Sequence, residues 1–100
     1  MSDKSKEITA HVQKHRDAGL ARVIDGIEFI RFHNSAWKCY PLKGRWTEII
    51  VSTVGFEKHE WEIGWPSIGS VDPEICESFA RSMLAASKLA RELTRQANEL

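Results

Sequence analysis

The stretch that decides the fold is residues 20–33, which read LARVIDGIEFIRFH. At its centre, the pair Asp25-Gly26 stands between two apolar segments rich in Val and Ile. An Asp-Gly pair in this setting is typical of a type I′ turn, because both central residues of that turn need a positive φ. The stretch therefore predicts a hairpin of two antiparallel strands, near residues 20–24 and 27–33.

Turn signals further along the chain extend this hairpin into a meander. They are Asn34-Ser35, residues 41–44 (PLKG) and Gly55-Phe56. The sheet ends at Trp65-Pro66, because proline has no N–H to donate to a neighbouring strand. The sequence thus predicts an antiparallel meander of four to five strands, the last three near residues 36–40, 45–54 and 57–65.

The C-terminal part of the chain predicts a long amphipathic helix over residues 73–97. Asp72 is a good N-cap residue, and Pro73 suits the first helical position. Apolar side chains then recur at steps of three and four, which places them on one face. They are Ile75, Phe79, Met83, Ala86, Ala90, Leu93 and Ala97. Leu84 lies on the opposite, charged side.

The N-terminal segment predicts a shorter helix over residues 4–18, which ends at Gly19. Ile8 and Val12 are its only large apolar side chains on one face, so this helix needs packing against the sheet for stability. No repeat or flexible linker divides the chain. We therefore expect a single α+β domain over residues 1–100, with the long helix on one face of the sheet and the short helix at an edge or on the other face.

Alternation along the strands predicts which side chains share a face of the sheet, provided that each turn has two residues. The predicted core face holds Ala21, Val23, Ile30, Phe32, Trp37 and Cys39. A second predicted core group holds Trp46, Ile50, Val54, Trp61, Ile63 and Trp65. The predicted outer face holds Arg22, Phe29, Arg31, His33, Lys38 and Tyr40.

Composition and charge narrow the classes of function. The chain has 14 basic and 14 acidic residues, so its formal net charge is zero. A net charge of zero therefore disfavours a protein whose main role is binding nucleic acid or an anionic membrane through overall charge. No apolar run approaches the roughly 20 residues that span a bilayer. With a polar start, MSDKSKE, we expect a cytoplasmic protein whose two cysteines are reduced.

The residue types that commonly act in catalysis or bind metals form no recognisable motif in this sequence. His11 and His15 have the i, i+4 spacing that can chelate a metal, but the only soft third ligands are Cys39, His33 and His59, none at a motif spacing. Cys39 and Cys76 are interpreted as buried thiols. We expect no catalytic residue, no metal and no cofactor, and hence a protein that is not an enzyme.

The outer face remains the main candidate for function. We expect a small non-catalytic binding protein that acts through protein–protein interaction, as an adaptor or a stoichiometric inhibitor of the kind that phages and mobile elements encode against host complexes. The predicted partner-binding residues are Arg22, Phe29, Arg31, Lys38, Tyr40 and Leu84. Cations beside aromatic rings also fit nucleic acid, which is the alternative partner. If Leu84 instead forms a homodimer seam with Arg81, Lys88 and Arg91, self-association is the function of that surface. A small enzyme is the third hypothesis, after the protein-binding and nucleic-acid-binding modules.

Overall fold

A computed structural model describes residues 4–53, 61–66 and 70–98 of the chain. Within these ranges the chain forms two helices, which are α1 (Ser5–Asp17) and α2 (Pro73–Asn98). Five strands lie between them: β1 (Ala21–Ile24), β2 (Ile27–His33), β3 (Ala36–Cys39), β4 (Ile49–Thr53) and β5 (Trp61–Gly64). The strands form one antiparallel sheet in the order β1-β2-β3-β4-β5. The predicted α+β meander with a helix at each end is confirmed.

The predicted turn residues and helix-terminating residues have the expected conformations and contacts. Asp25 and Gly26 have φ of 50° and 80°, and Ile24 pairs with Ile27 across the turn. Gly19 follows α1 with a φ of 73°. Asp72 caps α2, since its Oδ1 accepts a hydrogen bond of 2.9 Å from the backbone N–H of Ile75.

The two helices lie on opposite faces of the sheet. The α2 face carries Phe29, Cys39, Ile49 and Val51, which are buried and pack against α2. The other face, here called the α1 face, carries Glu28, Lys38 and Tyr40 by alternation. On that face α1 contacts β1 and β2.

Small residues let α2 approach the sheet closely. Its buried positions are Ser82, Ala85, Ala86, Leu89 and Ala90. Phe79, Met83 and Leu93 of the predicted stripe are partly buried at the borders of this strip. The centre of the contact is therefore rotated slightly from the predicted stripe, and Leu84 is exposed.

A bulge in β2 inverts the predicted faces of the first two strands. His33 pairs with Ala36 as a two-residue turn requires, but Arg31 pairs with Trp37, so that Phe32 is an extra residue in β2. Arg22, Phe29 and Arg31 consequently lie on the α2 face, whereas the prediction placed them on the outer face. Ala21, Val23, Ile30 and Phe32 lie on the α1 face instead of in the core. The predictions for Trp37 and Cys39, which lie on the α2 face, were correct.

The predicted tryptophan core is only partly correct. Val51 pairs with Ile63, and Thr53 pairs with Trp61, so Trp61 and Ile63 pack against the core beneath α2. Ile50 pairs with Gly64 and lies on the other face. Trp46 and Trp65 are exposed. The predicted Gly55-Phe56 turn and Val54 lie outside the described residues.

Candidate binding surface

The register separates the six predicted partner-binding residues onto three surfaces. Arg22, Phe29 and Arg31 are on the α2 face, Lys38 and Tyr40 are on the α1 face, and Leu84 is on the outer side of α2. Phe29 is 0% exposed and cannot contact a partner of the folded chain. The prediction that five of these residues share one face is wrong, because it assumed an unbroken alternation through Phe32. The role of the other five residues in binding stays a prediction.

Each of the two arginines of this set donates to an acceptor within the chain, although the Nε atom of Arg31 is buried without a partner among the described residues. A guanidinium nitrogen of Arg22 donates to the carboxylate of Glu92 in α2. Arg31 donates from Nη2 to the backbone oxygen of Asn34 at 3.1 Å. Neither arginine is therefore a freely available anchor for a partner's anions.

On the α1 face, aromatic rings gather around one lysine. The Nζ atom of Lys38 lies 4.6 Å from the ring centre of Phe32 and 5.5 Å from that of Tyr40. The ring of Trp46, which precedes β4, meets the ring of Tyr40 edge to face at 5.3 Å. Phe32 and Trp46 remain 42% and 41% exposed. We name these four residues the aromatic surface.

The first helix closes one side of the aromatic surface through His11. Its ring lies 5.5 Å from that of Trp46 and 6.1 Å from that of Tyr40. The Nε2 atom of His11 is shielded from solvent and has no hydrogen-bond partner among the described residues. Burial lowers the pKa of His11, and the nearby cations His15, Lys38 and Lys14 lower it further.

Lys38 is held in its charged form. Burial acts to lower the pKa of Lys38, but the nearby hydroxyl of Tyr40 and the carboxylate of Glu48 outweigh it, so the pKa is raised. The Nζ atom lies 3.4 Å from Oε2 of Glu48. The charge of Lys38 is thus largely matched within the chain, and its hydrocarbon stem is left to support the rings.

The loop that carries Trp46 adds positive charge that no acidic side chain of the described residues neutralises. Lys43 and Arg45 are both exposed, and neither takes part in an ion pair in that part of the chain. The aromatic surface therefore combines exposed rings with a net positive border.

Sequence reasoning identified Lys38 and Tyr40 but missed His11, Phe32 and Trp46 as surface residues. It assigned Phe32 and Trp46 to the core. The run Lys43-Gly44-Arg45-Trp46 contained a usable signal, since two cations within three residues of a tryptophan disfavour its full burial.

The outer side of α2 has fewer features of a binding surface than the aromatic surface has. Leu84 is exposed, as predicted, but it is a lone apolar side chain among charged neighbours. Lys88 of the predicted dimer seam donates to Asp25 of its own chain. Single exposed leucines are common on monomers and carry little information.

Among the described residues, the thiols and histidines are not grouped in a way that suits nucleophilic or metal chemistry. Burial raises the pKa of the Cys39 thiol to about 12, so it is neutral and inert. Cys76 is exposed, which corrects the prediction that both thiols are buried. His15 turns its Nδ1 to the backbone oxygen of His11 at 2.9 Å. Over residues 4–53, 61–66 and 70–98, no three His, Cys, Asp or Glu side chains are grouped to hold a metal.

Neither α1 nor α2 has the length and apolar composition of a membrane-crossing helix. No protein-family model, no curated protein and no solved structure matches this chain. The surfaces of the domain are therefore the basis for inferring its function.

Proposed function

We propose that this chain is a non-catalytic binding protein that acts through protein–protein interaction, and that the aromatic surface contacts the partner. The observation that carries the proposal is the exposure of two rings outside the packed core: Phe32, which lies beside Lys38, and Trp46, which meets the ring of Tyr40. Aromatic side chains that are rigid and partly exposed are over-represented among the residues that dominate binding energy. The core beneath α2 is complete without them.

The charge at this surface favours a partner that combines apolar and acidic side chains. Lys43 and Arg45 border Trp46 without a neutralising acid among the described residues, and Lys14 lies near His11. A partner that offers carboxylates at the rim and an apolar group at the centre matches this pattern. Positive rim charge would chiefly raise the association rate and make it sensitive to salt.

A role as adaptor or stoichiometric inhibitor belongs to the same proposal. A chain of 100 residues whose described part carries the aromatic surface and no recognisable catalytic group suits a protein that occupies a site on a larger complex. Small inhibitors that phages encode against host complexes have this character, and a cytoplasmic location agrees with the free thiols of Cys39 and Cys76. Size and the free thiols support these finer points.

Nucleic acid is the second candidate, because rings bordered by Lys43 and Arg45 also fit stacked bases and phosphates. The zero net charge and the internal pairing of Arg22 and Lys38 disfavour it. Phosphate recognition relies on Lys and Arg side chains that are free to neutralise phosphates and thereby release the counterions condensed on the nucleic acid.

Affinity capture from a lysate of the native cell tests the proposal when variants are compared. The full chain should retain one partner protein at a stoichiometric ratio. The double variant Phe32→Ala/Trp46→Ala should lose it, whereas the matched control Leu84→Ala, which truncates an exposed apolar side chain on α2, should keep it. Circular dichroism and urea unfolding verify that each variant is folded.

Three results would overturn the proposal. The first is retention of the partner by Phe32→Ala/Trp46→Ala. The second is its loss in Leu84→Ala alone, which would place the contact on α2. The third is capture of nucleic acid in place of protein, with a retention that falls steeply as salt rises.

A further inference from the structure

A cavity of about 570 Å³ lies between α1, the β1–β2 turn and the first half of α2. It lies at the end of the sheet where β1 turns into β2 and β3 ends, and side chains of both helices line it, Val12 from α1 and Arg81 from α2 among them. Its volume lies within the range of sites that hold small molecules. The aromatic surface is a separate feature, with only Tyr40 contributing to both.

Part of the lining, here called the aliphatic wall, is apolar. Ile8 and Val12 project from α1, and Ile27 comes from the start of β2, where it also packs against the core beneath α2. These three side chains are only partly buried, although they are the large apolar residues of this region. An apolar group bound here would remove their remaining exposed surface from water.

The acidic groups of the lining are already neutralised. Glu28 accepts two hydrogen bonds from Arg16, of 2.9 Å from Nε and 2.6 Å from Nη2. Asp25 accepts from the ammonium of Lys88. Neither carboxylate is left to repel an anion or to attract a cation.

Arg81 is the charged residue of the lining that remains unmatched. Glu77 stands one helical turn away, yet within the described ranges Arg81 makes no ion pair. Ser78, three residues before it on α2, lines the same cavity and offers a hydroxyl. A guanidinium beside a hydroxyl is a donor set for a carboxylate or sulfonate.

From the aliphatic wall and the unmatched arginine, we infer that this cavity is a binding site for a small organic monoanion with an apolar body. The anionic group binds Arg81 and the Ser78 hydroxyl. The hydrocarbon or aromatic body lies against Ile8, Val12 and Ile27. The inference does not depend on the proposed protein-binding function.

Two fluorescent probes of nearly the same shape test the site. 8-Anilinonaphthalene-1-sulfonate carries the anion, and N-phenyl-1-naphthylamine lacks it. In titrations of the folded full chain, the sulfonate should bind more tightly than the neutral probe. Arg81→Gln should lower the affinity for the sulfonate probe by about fivefold to tenfold, which is the loss expected for one charge-assisted contact. The affinity for the neutral probe should stay unchanged. Val12→Gln should weaken both probes.

The matched control is Arg91→Gln, which alters another exposed arginine of α2. Arg91 lines a second cavity of about 410 Å³ beside Trp61. Unchanged binding in Arg91→Gln supports the assignment. Loss of sulfonate binding in Arg91→Gln with retention in Arg81→Gln overturns it, as does equal binding of the two probes or the absence of binding to the native chain.

Discussion

The guanidinium of Arg22 in β1 donates a hydrogen bond to the carboxylate of Glu92 in α2, across 70 positions of the sequence. The two side chains are 29% and 33% exposed, so each has given up much of its hydration. The contact fixes the edge strand of the sheet to the C-terminal half of α2. Arg22, which strand alternation had placed on the predicted partner-binding face, therefore joins the sheet to α2.

We predict that Arg22→Ala lowers the free energy of unfolding by about 1 kcal/mol, because Glu92 is left partly desolvated without its donor. Urea unfolding followed by circular dichroism measures the change. The double variant Arg22→Ala/Glu92→Ala should lose less than the sum of the two single variants. Lys88→Ala, which breaks the more exposed pair with Asp25, should lose under about 0.5 kcal/mol. Additive losses at Arg22 and Glu92 would contradict the coupling.

Phe29 and Phe32 provide a direct test of the bulge. Phe29→Ala should cost roughly 3–5 kcal/mol, because it opens a cavity in the core beneath α2. Phe32→Ala should cost under about 1 kcal/mol, since that ring is 42% exposed. Thermal or urea unfolding of both variants measures which one loses more free energy of unfolding. The reverse order would restore the unbroken alternation that the structure excludes.

The elements were predictable because short-range chemistry sets them. Asp25-Gly26 favours a type I′ turn through its own backbone preference, and Asp72 caps a helix with its own side chain. Gly19 supplies the left-handed residue after α1. These signals act within a few residues, so one sequence is enough to locate them.

The faces were not predictable for a physical reason. The strand Ile27–His33 carries large apolar residues on both sides, Phe29 on one and Ile30 on the other. Both are buried, because a helix covers each face of this part of the sheet. Hydrophobic alternation then cannot decide which side is the core, and no local signal marks Phe32 as an extra residue.

The residues of the candidate site could be predicted only in part, because their faces depend on the same strand registers. Lys38 and Tyr40 were assigned correctly to one face because they are two residues apart at the end of one extended strand, whatever its register against β2. Trp46 was assigned to the core through a register set by Gly55-Phe56, whereas the observed pairing of Thr53 with Trp61 requires another. The surface is made of residues from separate elements, so it depends on every register between them.

The two cysteines should differ sharply in reactivity. Cys39 is buried with a pKa raised to about 12, whereas Cys76 is exposed near the start of α2. Iodoacetamide at mildly alkaline pH should alkylate Cys76 in the native protein and reach Cys39 only through unfolding. Mass spectrometry of peptides over time measures both rates. In Cys76→Ser the native protein should stay unmodified, and rapid alkylation of Cys39 in that variant would contradict its burial.

His11 should make the packing of α1 depend on pH. Burial and the cations His15, Lys38 and Lys14 hold its pKa below the ordinary value, while Glu48 acts in the opposite direction. In the unfolded chain the pKa returns to about 6.5. Between these two values the unfolded chain binds more protons than the folded one. The stability contributed by neutral His11 is therefore complete above about pH 6.5 and is lost as the pH falls toward the folded pKa.

Urea unfolding at about pH 7.5 and about pH 5.5 measures this loss, and the free energy of unfolding should be smaller at the lower pH. His11→Phe keeps an aromatic ring against Tyr40 and Trp46 but cannot take up a proton, so its stability should vary less between the two pH values. His33→Gln, which changes an exposed histidine bonded to Ser35 at the β2–β3 turn, is the matched control and should retain the wild-type difference. A pH dependence that His11→Phe leaves intact would assign the effect to other groups and remove His11 as its source.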